Sequence, residues 1–317
     1  MNIGILVSTR NRPSHLDALL ASISQADPLP DQIVVSSSGV DISEIISKHS
    51  QNLSISHVHT DLYGQIRQKM IGIRELEKSI DWTIFLDDDV LLQKDTIAKL
   101  KRVIENRINA GSDDLLGVGF NTPMTSHLTN QDRFKKVIAK FFFLEGKPRG
   151  AILKSGHPVS YLCSNHVIET QWLNGISAWK SKALSLYGSD FLESRYSAFE
   201  DVIFSYTQSK LGKLIYAPDI EVEFQLTSTT DLSHPSIFES ASYWRLKFIL
   251  DNQELSKIKY LWAQIGRSAF FIVSSGKKPK AMIFNAFKSF LILFEIVFQL
   301  TIKKNANWSL DRHCKAI

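Results

Sequence analysis

Three consecutive aspartates, Asp87, Asp88 and Asp89, follow the apolar run Trp82-Thr-Ile-Phe-Leu86. Adjacent carboxylates repel one another, and burying them is tolerable only with a cation in their midst. A strand that ends in such a cluster predicts a divalent-metal site with hard oxygen donors, suited to Mg2+ or Mn2+. A second acidic pair, Glu200-Asp201, opens a stretch that runs to Gly212. Ser197 and Glu200 have the spacing of a capping box, which by itself accounts for Glu200 as a helix-start residue. Asp201, in the first turn of that helix, is held ionised near neutrality by the helix dipole. There it can take a proton from an attacking hydroxyl.

These residues need a scaffold, and the hydrophobic pattern supplies one. Ile3 to Val7 is a continuous apolar strand, followed by Asn11 and Pro13 as cap and first-turn residues of a helix with Leu16, Leu19, Leu20 and Ile23 on one face. Strands are predicted at Gln32 to Ser36, Leu53 to Val58, Trp82 to Leu86 and Leu115 to Phe120. Helices are predicted at Ile42 to Lys48, Gln65 to Lys78, Thr96 to Arg107 and Gln131 to Phe143. Such alternation implies an α/β domain with a mainly parallel sheet covered on both faces. Ligands of that architecture bind beyond the carboxyl ends of the strands, where Asp87 to Asp89 fall. His57, His59 and Asp61 alternate like ligands on one strand face, a pattern that more commonly marks a solvated edge.

The chain has 317 residues, 44% hydrophobic and 22% charged, enough for a sizeable core. Its two cysteines, Cys163 and Cys314, lack CxxC spacing, so zinc and dithiol chemistry are not expected and a reducing, cytoplasmic location is. The apolar N-terminus has no basic n-region or cleavage site and reads as a first buried strand. Residues 235–317 hold 13 Lys and Arg against 5 Asp and Glu, while residues 1–234 hold the other 24 against 27. No recognisable nucleic-acid module accompanies the basic tail, so nucleic acid is not an expected partner. Ile258, Leu261, Trp262, Ile265, Ala269, Ile272 and Val273 follow helical spacing, and residues 281–300 are mostly apolar. Asn285, Lys288, Glu295 and Gln299 interrupt that run along one stripe. Charges at the centre of a span cost about 2.5 to 3.5 kcal/mol each, so an amphipathic helix lying on the membrane surface is expected rather than a span. The alternative is a helix packed on the protein. On composition, the chain divides into residues 1–234 and a basic helical extension, 235–317.

The order and spacing of these segments resemble the family 2 glycosyltransferases of GT-A fold. Val7-Ser-Thr-Arg-Asn-Arg-Pro13 is similar to the family's opening strand and loop, and Phe85-Leu-Asp-Asp-Asp89 to its DxD. Trp172-Leu-Asn-Gly-Ile-Ser-Ala-Trp-Lys180 is similar to its glycine-containing donor-sugar segment, and Phe199-Glu-Asp201 to its ED motif. The resemblance covers roughly residues 1–225.

What the resemblance implies is specific. Asp87 and Asp89 would hold the metal, with Asp88 nearer the ribose and Gly175 in the donor-sugar segment. Thr9, Arg10 and Arg12 would face the nucleotide, with Arg67 a basic residue beside it. Asp201 would be the general base, with Glu200 the less favoured candidate, and His234 would approach the metal or diphosphate. One departure stands out: the acidic residue usual after the second strand is replaced by Ser36-Ser37-Ser38, so Ser36 becomes the expected contact to base or ribose and the nucleotide is left undetermined. Trp172 and Trp179 could stack on sugar or pack in the core. The expectation is a metal-dependent inverting transferase moving sugar from a nucleotide-diphosphate donor to a glycan or lipid-linked acceptor. It would lie peripherally on the cytoplasmic face of the inner membrane, in surface polysaccharide or glycolipid assembly. The alternatives are a nucleotidyltransferase of related fold and a sugar-binding homologue without catalysis. The first is disfavoured because no glycine-rich phosphate loop follows the first strand.

Overall fold

The computed structural model describes residues 1–61, 64–111, 113–122, 130–162, 164–188, 199–225, 235–274 and 279–302. In chain order the elements are β1 (Ile3–Arg10), α1 (Pro13–Ile23), β2 (Gln32–Ser38), α2 (Ser43–His49), β3 (Ile55–His59), α3 (Gln65–Arg74), β4 (Trp82–Asp87) and β5 (Val90–Leu92). They continue with α4 (Thr96–Asn109), β6 (Leu115–Asn121), α5 (Asn130–Phe141), β7 (Ile168–Thr170), β8 (Ser177–Lys180) and α6 (Ser181–Leu184). The last are α7 (Glu200–Ser209), β9 (Lys213–Phe224), α8 (Pro235–Asp251), α9 (Lys257–Ser274) and α10 (Pro279–Ile302). Two compact units result: residues 1–124, 161–191 and 204–229, and residues 125–160, 192–203 and 230–317.

The first unit holds the sheet, in the order β3-β2-β1-β4-β8-β6-β9-β5 with β7 beside β9. Strands β3, β2, β1 and β4 run parallel, as the alternation predicts for strands joined through crossover helices. Beyond β4 the sheet is mixed, because β8 pairs antiparallel with both β4 and β6. One sheet face packs Ile3, Ile5, Val7, Ile33 and Val35 against Leu16, Leu19 and Leu20 of α1, all fully buried. The other receives α3, which comes close because Gly72 has no side chain: a Cβ there would lie 2.3 Å from Leu6 Cδ1. That helix ends at Arg74, short of the predicted Lys78. The Gln32 side chain competes for the backbone there, donating to Glu75 O and accepting from Glu77 N–H. Asn11 also departs from expectation. Its φ of 55° is left-handed, Arg12 takes the cap position, and Asn11 Oδ1 accepts the Val40 N–H at 3.0 Å.

The second unit contains α8, α9 and α10. The polar stripe of α10 faces inward: Lys288 pairs with Glu239 of α8 at 2.5 Å, Tyr243 of α8 donates to Glu295 at 2.5 Å, and Asn285 and Ser289 are buried. Its apolar side is left uncovered by the described residues, with Ile283, Phe284, Phe287, Phe290 and Phe294 all more than half exposed. The stripe predicted for α9 is likewise mostly outward, with Ile258 83% and Val273 70% exposed, whereas Tyr260, Ala263, Gln264 and Phe271 are buried. Among the described residues no helix is long and apolar enough to cross a membrane.

Candidate functional site

Asp87 is the last residue of β4 and lies opposite Ser8 of β1, so the parallel register carries Thr9 and the loop after it alongside Asp88 and Asp89. Asp88 and Asp89 form the turn into β5 and are 5% and 8% exposed. Thr9 Oγ1 donates to Asp88 Oδ2 at 2.7 Å. Arg12 Nη1 reaches Asp88 Oδ1 at 3.1 Å and Asp89 Oδ2 at 3.4 Å. Part of the neutralising charge that the aspartate cluster demands therefore comes from Arg12 itself. Burial still pushes the Asp88 carboxyl above the ordinary carboxylate range, against the pull of the Thr9 hydroxyl and the Arg12 guanidinium.

Asp87 points elsewhere. Gln65 Nε2, in the first turn of α3, donates to its Oδ1 at 3.2 Å, and a Cβ on Gly175 would stand 3.7 Å from its Oδ2. A side chain at position 175 would thus fill the space beside this carboxylate. Gln225, just past β9, ties down the turn: its N–H donates to Asp89 O at 2.8 Å and its Nε2 to Asp88 O and His15 O at 3.1 Å each. Neither glutamine was legible as a site residue. Gln225 lies 137 positions from Asp88, and no periodicity links them.

The structure brings together Thr9, Arg12, Asp87, Asp88, Asp89 and Gly175 of the expected set. Arg10 is exposed at the end of β1 and Arg67 is half-buried on α3. Ser36 corrects the expectation: it is fully buried on the face of β2 that meets α3, with no hydrogen-bond partner for its Oγ, so it has no surface to offer a nucleotide. Its neighbour Ser37 instead joins two imidazoles, His57 Nε2 at 2.8 Å and His59 Nδ1 at 3.1 Å. Burial, with the charge of His59, pushes His57 below the usual histidine range. Trp179 is core, 2% exposed and donating to Ser177 Oγ at 3.0 Å, whereas Trp172 is half-buried and packs on Tyr161 with ring centroids 4.7 Å apart. Glu200 and Asp201 start α7 and belong to the second unit; Glu200 is 4% exposed, Asp201 is half-buried, and Asp201 Oδ1 accepts the Val202 N–H at 2.8 Å. His234 lies outside the described residues.

Among the described residues no three His, Cys, Asp or Glu side chains converge into a ready-made metal cage. The donor chemistry nevertheless fits a hard divalent cation. Two carboxylates share one guanidinium, and a third, Asp87, has the space beside it kept open by Gly175.

A strand-terminal aspartate cluster, braced by the first loop of a sheet of this topology, is the arrangement of a GT-A fold. Residues 4–142 match the model of the family described as Glycosyl transferase family 2. Two solved structures share the fold over most of their length. One is Staphylococcus aureus TarS 1–349 in complex with UDP-GlcNAc, with 14% identity, TM-score 0.58 and coverage of 94% of this chain and 82% of that one. The other is the mannosyltransferase PcManGT from Pyrobaculum calidifontis in complex with GDP-Man and Mn2+, with 13% identity, TM-score 0.53 and coverage of 96% and 84%. At these identities the likeness concerns the fold. No curated protein matches the chain by sequence.

Proposed function

We propose that the chain is a metal-dependent, inverting glycosyltransferase that moves a sugar from a nucleoside-diphosphate donor to a hydroxyl of a glycan or lipid-linked acceptor. The observation that carries the reading is the Thr9–Arg12–Asp88–Asp89 constellation at the carboxyl ends of β1 and β4. Asp87 and Asp89 would hold Mg2+ or Mn2+, whose chemistry is to neutralise the diphosphate as it leaves. Thr9 and Arg12 fix the turn that presents these carboxylates, and Arg12 adds positive charge beside it. Asp201 accepts the proton of the acceptor hydroxyl while that oxygen bonds the anomeric carbon and the carbon–oxygen bond to the diphosphate breaks. A single in-line displacement of this kind inverts the anomeric centre. The fold is divided functionally into a catalytic part, residues 1–234, and the basic helical extension, 235–317.

The extension is proposed to rest on the cytoplasmic face of the inner membrane. The uncovered phenylalanines of α10, with Lys280 exposed at its start, are of the right chemistry for an anionic bilayer. The transfer reading is tested by incubating the full chain with single nucleoside-diphosphate sugars, with and without Mn2+, and assigning the anomeric configuration of the product by NMR. Retention of configuration, or turnover indifferent to chelator, would refute the mechanism.

A further inference from the structure

The second unit contains two arginines whose charge the described residues do not balance. Arg245 of α8 and Arg267 of α9 are both half-buried, and neither has a carboxylate within ion-pair distance among the described residues. Each guanidinium carries a fork of N–H donors. Arg245 uses one on His157 Nδ1 at 2.9 Å and Arg267 one on Gln264 Oε1 at 2.9 Å. Arg245 Nε is buried without a partner. The bond from Arg245 requires His157 Nδ1 to accept, so the imidazole is neutral and its remaining N–H lies at Nε2.

Aromatic faces enclose the group. Arg245 lies 4.7 Å over the Phe199 ring and Arg267 5.2 Å over that of Phe238. Tyr260 donates to Ser242 O, and Gln264 donates to Ser242 Oγ, which ties α9 to α8 near the two arginines. Burial works against every positive charge here. It holds Arg245 and His157 well below their usual ranges and pushes Arg267 down to about 10. The carboxylate whose charge Arg245 senses is Asp201.

Unpaired buried charge is expensive, and a fold retains it where a ligand supplies the counter-charge. We propose that Arg245, Arg267 and His157 form an oxyanion subsite that holds a phosphate ester of the acceptor beside Asp201. The arginine forks match phosphate oxygens, and the two together match its double charge. Because Asp201 is the base only under the reading given above, the acceptor assignment rests on that reading; the oxyanion site itself does not. The acceptor class that follows is a phosphorylated glycan or polyol whose reacting hydroxyl lies near the phosphate.

The test is calorimetry on the full chain with glycerol 3-phosphate, inorganic phosphate and glycerol at matched ionic strength. Wild type should bind glycerol 3-phosphate more tightly than inorganic phosphate and should not bind glycerol. Arg245→Gln and Arg267→Gln should each weaken binding by about tenfold or more, a loss of about 1.4 kcal/mol, and Arg267→Lys should fall between. Ligand-free Arg245→Gln should melt at or above the wild-type temperature, since an uncompensated charge has been removed. Nucleoside diphosphate with Mn2+ should bind all four proteins alike, and failure of that arm in wild type would count against the donor reading alone. Equal phosphate affinity in wild type and both glutamine variants, or none in wild type, would overturn the subsite. Tighter binding of inorganic phosphate than of the ester would overturn the ester assignment. Should a glutamine variant not fold, the wild-type comparison of ester, phosphate and glycerol decides alone.

Discussion

Replacing Arg12 with glutamine removes the only cation that the described side chains place within hydrogen-bond reach of Asp88 and Asp89. Breaking a buried pair by removing one partner costs about 3 to 5 kcal/mol. The Arg12 side chain is 31% exposed and that of Asp88 is 7%, so solvent screens part of the loss and about 2 kcal/mol is expected. That corresponds to a fall in Tm of roughly 3 °C for a chain of this length. The pH dependence has a definite sign. Asp88 is already raised above its unfolded value, so the folded state holds its proton more tightly and the carboxylate costs stability once pH rises through the folded pKa. Loss of Arg12 raises Asp88 further. The destabilisation should therefore be largest at neutral pH and shrink as the medium is acidified and Asp88 takes up its proton. Urea unfolding followed by circular dichroism at pH 7 and pH 5 reads this directly. Added Mn2+ should recover more stability in Arg12→Gln than in wild type. A loss of the same size at both pH values, or none, would refute the claim that Arg12 compensates these carboxylates.

Asp201→Asn should keep donor affinity near normal and lower transfer by about a hundredfold or more, the scale of a missing general base; near-wild-type turnover would remove Asp201 from that role. Glu200→Gln, at a buried helix start, should cost about 1 kcal/mol of stability and much less catalysis, read by urea unfolding beside turnover. Replacing Phe287, Phe290 and Phe294 together with serine should leave folding intact and abolish co-sedimentation with anionic vesicles; undiminished binding would dismiss the α10 face as the membrane contact. Gln225→Ala, which frees the Asp88–Asp89 turn, should weaken metal-dependent nucleotide affinity by about tenfold in calorimetry, the cost of a hydrogen bond or two.

The half of the sheet that carries the aspartates was legible because buried parallel strands are continuous apolar runs bounded by amphipathic helices. β1, β2 and β4 fall where Ile3 to Val7, Gln32 to Ser36 and Trp82 to Leu86 predict them. The three-residue strands β5 and β7 carry too few side chains for any period to emerge, and β8 falls in the glycine-containing segment of residues 172–180, where no strand is predicted. Asp87 to Asp89, Thr9 and Arg12 are proposed as site residues from type and order, and the fold places Thr9 and Arg12 against Asp88 and Asp89. The braces from Gln65 and Gln225 come from folded contacts between distant segments, which no local pattern encodes. Ser36 failed for a simpler reason: strand alternation decides which serine meets solvent, and it turns Ser36 toward α3. In the tail, the spacing of Asn285, Lys288 and Glu295 correctly marked one side of α10. Only the partners on α8, Glu239 and Tyr243, reveal that this polar side faces inward.

The central claim, that Asp87 to Asp89 present a metal-dependent nucleoside-diphosphate site, is tested most directly by titrating wild type and Asp89→Ala with nucleoside diphosphates, each with Mn2+ and with chelator. Wild type should bind one of them markedly more tightly with Mn2+, and Asp89→Ala should lose that gain while remaining folded. Equal affinity in the two proteins, with and without metal, would contradict the account.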